Sequence, residues 1–173
     1  MRKEEENMNP NMTQSVVLVF QQAQTLASQK HHQQLTPFHV LKSVLENQTE
    51  HVIVRCLEGV DKKKLNQACD HQLSRITEVF GTQNLSLSPE LSKIFMKMDE
   101  RAQKFKDKYI SLDNLLFCLL TSEPIFEIFT ECGGNLKNLE KTVEKMRMNK
   151  SVDSENAESE YDALNRYAKD VTQ

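Results

Sequence analysis

The stretch QLTPFHVLKSVL at 34–45 and the stretch YISLDNLLFCLL at 109–120 carry one pattern, 75 residues apart. Leu35 and Ile110 lead in, and Thr36 and Ser111 supply a hydroxyl. The pairs Val40-Leu41 and Val44-Leu45 then match Leu115-Leu116 and Leu119-Leu120. Apolar pairs at this spacing make one face of a helix, and a Ser or Thr just before the face is a favoured N-cap. A unit written twice builds one core with a seam between the copies, and such seams offer grooves to ligands or peptides.

The repeat extends on both sides. From Thr13, the residues Val16, Val19-Phe20, Ala23 and Leu26-Ala27 share a helical face; from Ser88, so do Leu91, Ile94-Phe95, Met98 and Ala102. Thr13 and Ser88 read as N-caps, and Pro89 suits a first helical position. Each half then has a short third helix, from about 50 to 58 before Gly59 and from Pro124 to Gly133-Gly134, since glycine past a helix end accepts a left-handed backbone. Fourth helices begin after Asp61 and Asn135, with Leu65, Cys69, Leu73 and Ile76 matching Leu136, Leu139, Val143 and Met146. Here the offset slips to 74, so one indel separates the halves.

The expected architecture is all-α: two pseudo-twofold four-helix repeats, 12–77 and 88–148, joined by 78–87, within one domain over 12–149. Residues 1–11 read as a flexible N-terminus. From 150 the composition turns polar, as in an exposed linker. Tyr161, Leu164, Ala168 and Val171 then space out a narrow amphipathic helix with nothing of its own to pack on.

Composition removes several function classes. Hydrophobic residues make up 38% and only four glycines occur, which favours a helical globular chain. No apolar run approaches the ~20 residues of a membrane span, and the start MRKEEENMNPNM has no apolar core of a secretion signal. No membrane partner and a cytoplasmic location are therefore expected. Six acids after 150 face only Arg166 and Lys169, so the tail carries −4 of a total of −3 and the body is nearly neutral at +1. A neutral body argues against nucleic acid, which needs a concentrated basic face. Lys62, Lys63 and Lys64 sit in a helix's first turn and read as solvated surface.

Chemistry is sparse. There is no G-x-x-x-x-G-K-[ST], no H-E-x-x-H and no G-x-S-x-G, so no catalytic residue or metal ligand is assigned. Cys56, Cys69, Cys118 and Cys132 form no C-x-x-C pair and read as buried free thiols. His31 and His32 read as exposed neighbours, and His39, in a first helical turn, as a residue contacting a loop. Asp107 and Asp113 are the candidate carboxylate pair. Asp113 sits in the first turn after Ser111, where its charge meets the helix dipole favourably, and an interaction role is the alternative.

The segments LTPFHVLKSVL, LSPELSKIF and DKYISLDNLLFCLL, with the turn-and-cap elements GVD and GGN, resemble the Clp amino-terminal domain. The tail MRMNKSVDSENAESEYDALNRYAKDVTQ is similar to the segment that joins this domain to the first ATPase module in ClpB-type disaggregases. The resemblance covers about residues 12–173. It implies the front part of a longer AAA+ ATPase, homohexameric when complete and monomeric as this fragment. The complete protein would use ATP and magnesium and work with the DnaK chaperone system; the fragment itself would hold no cofactor. The domain would engage unfolded or aggregated polypeptides and pass them to a central pore. An adaptor-docking domain of the ClpC or ClpA kind is the alternative. The family's substrate-engaging Thr and two acids fall on Thr13, Asp107 and Asp113. Its apolar groove falls on Phe95, Lys97 and Asn114, of which only Phe95 keeps the apolar character, with Met96, Tyr109 or Leu112 able to compensate. Thr13 as a helix cap and Phe95 as a core residue are the competing readings.

Overall fold

A computed structural model of the protein describes residues 11–81 and 84–147, and its helices begin where the cap residues stand. Helix α1 (Gln14–Gln29) follows Thr13, α2 (Pro37–Glu46) follows Thr36, α3 (His51–Cys56) follows Glu50 and α4 (Lys62–Ser74) follows Asp61. The second half repeats the order with α5 (Pro89–Lys104), α6 (Leu112–Leu120), α7 (Ile125–Glu131) and α8 (Leu136–Arg147). The reason is local. The Ser88 hydroxyl accepts from the Leu91 N–H, the Asp61 carboxylate from the Lys64 N–H and the Asn135 side chain from the Asn138 N–H, each satisfying a donor that the first turn leaves open. At α2 the cap is reciprocal: His39 Nδ1 accepts the Thr36 N–H at 2.9 Å.

The two helices of the opening pattern lie at the centre. Every residue of α6 except Phe117 is buried, and α2 buries Pro37, His39, Val40, Leu41, Ser43, Val44 and Leu45. Helix α1 packs on α2 and α5 on α6; across the seam, α3 packs on α6 and α8, and α4 on α7. The buried residues form one continuous cluster drawn from both halves. The proposed linker helix beyond 150 lies outside the described residues, as do residues 1–10.

The all-helical expectation holds with one addition, a pair of short parallel strand contacts. Strand β1 (Gln34–Leu35) pairs with β2 (Ser86–Leu87), matching Leu35 to Leu87, and an isolated bridge matches Met12 to Ile110. These contacts are the same one seen twice, because 12 and 87, like 35 and 110, are 75 apart. Each first helix is thus anchored to the other half: Thr13 donates to the Ile110 carbonyl at 3.0 Å, and Ser88 to the Leu35 carbonyl at 2.9 Å.

Two pairs of repeat mates touch each other. The rings of Phe20 and Phe95 stack with centroids 5.0 Å apart. At the turns, a Cβ on Gly133 would lie 3.0 Å from the Gly59 carbonyl oxygen, and both glycines have positive φ, 97° and 83°. Mates related by a twofold touch only beside its axis, so the two contacts mark where the axis passes. The backbone conformation requires glycine at both positions, and at Gly133 the close approach requires it as well.

Candidate functional site

The sequence candidates fall into two groups. Thr13, Asp107, Tyr109 and Asp113 converge on one loop because the Met12–Ile110 bridge brings the start of α1 beside residues 107–113. Phe95 belongs to the seam, stacked on Phe20.

The candidate carboxylate pair is buried. The side chains of Asp107 and Asp113 are 1% and 0% exposed, and both face Arg147 at the end of α8. Arg147 Nη2 lies 2.7 Å from Asp107 Oδ1, and Nη1 lies 3.5 Å from Asp113 Oδ2. Asp113 also accepts a short hydrogen bond from the Ser111 hydroxyl, so Ser111 caps no backbone donor with its side chain. Burial raises the Asp113 carboxyl above the usual range, against the Ser111 hydroxyl and Arg147, which both favour the charged form. Thr13 is completely buried, and its hydroxyl has no hydrogen-bond partner among the described residues. Tyr109 is half-buried between the two acids. The group is a structural clamp on the loop that carries Tyr109.

Around the seam, Phe95 is half-buried and its neighbour Met96 is 64% exposed. Asn114 does not line this face, since it is buried with its amide donating to the Met98 carbonyl. Lys97 is exposed and Leu112 buried. Of the compensating residues weighed from sequence, Met96 is therefore the exposed apolar one. Two open clefts of about 500 and 400 Å³ meet at Thr36 and Ile76. The first is lined by polar residues such as Gln33, Gln34 and Ser86, the second by Pro37, Phe38 and Pro124 with Arg75 and Glu90.

His32 departs from expectation. It is buried, and its Nδ1 lies 2.8 Å from His39 Nε2. Because the Thr36 N–H donates to His39 Nδ1, that nitrogen is unprotonated and Nε2 carries the hydrogen toward His32. Burial first, then His32 and Lys30, lower His39 to about 4. All four cysteines are free and buried; burial pushes Cys56 and Cys69 up to about 12 and Cys118 to about 11, so they remain inert thiols. Among the described residues no group of three or more His, Cys, Asp or Glu could hold a metal ion, and no helix is long and apolar enough to cross a membrane.

Sequence reasoning missed Arg147, although a signal was present. It follows Leu139 and Val143 at steps of four, on the face that α8 buries. A cation on that stripe requires a buried anion opposite it.

The family model described as the Clp repeat (R) N-terminal domain matches residues 11–126. The chaperone protein ClpB of Agrobacterium fabrum is 32% identical over 158 residues, covering 88% of this chain. The chain spans only 18% of that relative's length. Among solved structures, the Hsp104 N-terminal domain from Candida albicans superposes with a TM-score of 0.73 at 22% identity, covering 86% of this chain and 99% of that one. A ClpV N-domain solved in complex with a VipB peptide reaches 0.62 at 18% identity, covering 83% of this chain and 91% of the other. These structural likenesses concern the fold.

Proposed function

The chain belongs to the Clp repeat N-terminal domain family, and we propose that it is of the ClpB and Hsp104 type, the client-engaging module of a ClpB-type disaggregase. It holds apolar segments of unfolded or aggregated polypeptides at the seam and releases them to ATPase rings that lie elsewhere in the full-length protein. The observation that carries this reading is the half-buried Phe95, stacked on its repeat mate Phe20 beside the exposed Met96. A related fold with a bound peptide supports it. Thr13, Asp107 and Asp113 then act by positioning, holding the loop from which Tyr109 reaches the surface. ATP and magnesium belong to the full-length protein, which would be a cytoplasmic homohexamer working with the DnaK system. They do not fit the residues here, which include no phosphate-binding glycine loop. This chain is a monomer in that scheme.

Affinity from a shallow apolar face is weak, on the order of 10–100 µM or about −5.5 to −7 kcal/mol, because ordering costs offset much of the ~25 cal/mol per Å² gained on burial. Weak binding suits a module that must release its client. The test is titration of an unfolded model protein against Phe95→Ala and Met96→Ser. Each is expected to weaken binding roughly tenfold, about 1.4 kcal/mol. Met96→Ser, at an exposed position, should leave stability within about 0.5 kcal/mol. Undiminished client binding in folded Met96→Ser and Phe95→Ala chains would remove the seam as the client site.

A further inference from the structure

Cations gather around Phe105, at the end of α5, from two elements. The Arg147 guanidinium lies 4.3 Å from the ring centroid, Arg101 5.0 Å and Lys104 Nζ 5.7 Å. Arg101 also lies 4.1 Å over Phe117. Lys106 and Lys108 follow on the exposed turn, Lys106 at a positive φ of 59°. Between 101 and 108 stand four cations and one carboxylate, Asp107, which is engaged by Arg147. Asp113 is buried against the same Arg147. The exposed Lys104, Lys106 and Lys108 therefore outnumber the exposed Asp99 and Glu100 one turn back, and the surface has an aromatic centre.

The complementary charge is in the same chain. Residues 153–162 include Asp153, Glu155, Glu158, Glu160 and Asp162, and no basic residue. Arg147 lies beneath that surface, 8% exposed and paired with Asp107 and Asp113, and Asp153 comes six residues later. At ~3.5 Å per residue the acidic run begins within about 21 Å of Arg147. A short tether of that kind holds it at an effective concentration on the order of millimolar. The other terminal segment, 1–10, mixes Arg2 and Lys3 with Glu4, Glu5 and Glu6 and offers no such match.

We infer that the basic surface around Phe105 is the docking site of the acidic segment 153–162 of this same chain, forming a salt-sensitive latch between the repeat unit and the segment that leaves it. This latch is independent of client binding at the seam. Lys104, Lys106 and Lys108 supply the outer charges, while Arg101 and Arg147 hold Phe105 as the floor.

The experiment compares backbone amide shifts of the 173-residue chain with those of the same chain carrying Asp153→Asn, Glu155→Gln, Glu158→Gln, Glu160→Gln and Asp162→Asn. At about 20 mM salt the amides of residues 101–109 should differ between the two chains. The difference should vanish at about 300 mM, where the Debye length falls below ~8 Å. It should also vanish in a Lys104→Glu, Lys106→Glu, Lys108→Glu background that melts like the native chain. If that background fails to fold, the tail substitutions and the salt series still decide the matter, since they leave the repeat unit unchanged. Identical amides at low salt would overturn the latch, as would a difference that survives high salt. Amides that respond to an unrelated acidic peptide but not to the tail substitutions would assign the surface to another molecule and overturn it too.

Discussion

At the scale of single residues, burial decides what Asp107, Asp113 and His39 do. Asp107→Ala would leave Arg147, 8% exposed, with its shortest ion pair gone. Breaking a buried pair from one side costs about 3–5 kcal/mol, so urea unfolding of this variant is expected to show a loss of about 3 kcal/mol. A loss near zero would mean that the clamp does not support the fold. The spacing of the sequence placed both acids near a helix start, but whether a first-turn acid faces solvent or an arginine depends on Arg147, at the end of α8 and 34 residues after Asp113. No local pattern carries that. His39 has a pH signature with a definite sign. Protonating Nδ1 would set a donor against the donating Thr36 N–H, and burial first, then His32 and Lys30, disfavour the charged form. With His39 lowered from 6.5 to about 4, the unfolded chain binds the proton first as pH falls. Stability is then fully present above about 6.5 and lost as pH falls toward 4. The expected loss between pH 7 and 5 is about 2 kcal/mol from this group, and His32, lowered for the same reason, acts in the same direction. Chemical denaturation of native and His39→Gln chains at the two pH values checks it, and equal pH slopes would exclude His39 as the source.

At the scale of elements, the sequence was most readable where a cap, a stripe and a stop agreed. Thr13, Ser88, Thr36, Ser111, Asp61 and Asn135 each stand one residue before an observed helix. The fourth helices follow their stripes, with Leu65, Cys69, Leu73, Leu139 and Val143 buried. Strands β1 and β2 were illegible because two residues carry no alternation to detect. Phe95 was ambiguous for a related reason: its spacing puts it on the face that buries Ile94 and Met98, yet it ends on Phe20 at the axis. At the Gly133-Gly134 turn before α8, the backbone is one constraint and packing adds a second. A Cβ on Gly134 would lie 2.6 Å from ring atoms of Phe129, which is 1% exposed. Gly134→Ala must displace that ring from the core, and overpacking of this kind costs typically 1–3 kcal/mol. A thermal or urea melt of Gly134→Ala indistinguishable from native would show that Phe129 moves freely.

At the scale of the whole molecule, the duplication can yield either two units that fold separately or one. The exchanged anchors favour one. The start of α1 is tied to the second half through Thr13 and Ile110, with Ile110 donating in turn to the Asn11 carbonyl at 2.8 Å. The start of α5 is tied to the first half through Ser88 and Leu35, with Ser86 donating to the Gln33 carbonyl at 3.1 Å. Helix α3 packs on α6 and α8 rather than staying within its own half, and Asp61 donates to the Cys132 carbonyl at 2.8 Å. Opening either half therefore exposes apolar surface of the other, which is the condition for a single all-or-none transition in a domain of this size. Native-state amide exchange is the direct measurement, because it reports an opening free energy for each element. The slowest amides of α2 and α6, the two copies of the opening pattern, should share one value equal to the global unfolding free energy. Residues 12–77 produced alone should show the circular dichroism of a largely unfolded chain, since they lack the partners of α3 and of the α1 start. Values for α2 and α6 that differ by more than about 2 kcal/mol, or a folded 12–77 fragment, would mean that the halves are autonomous and that the seam is an interface between two domains. One shared value would mean that a ligand seated at the seam stabilises both halves together, raising the melting point of the whole chain with the logarithm of ligand concentration above its Kd.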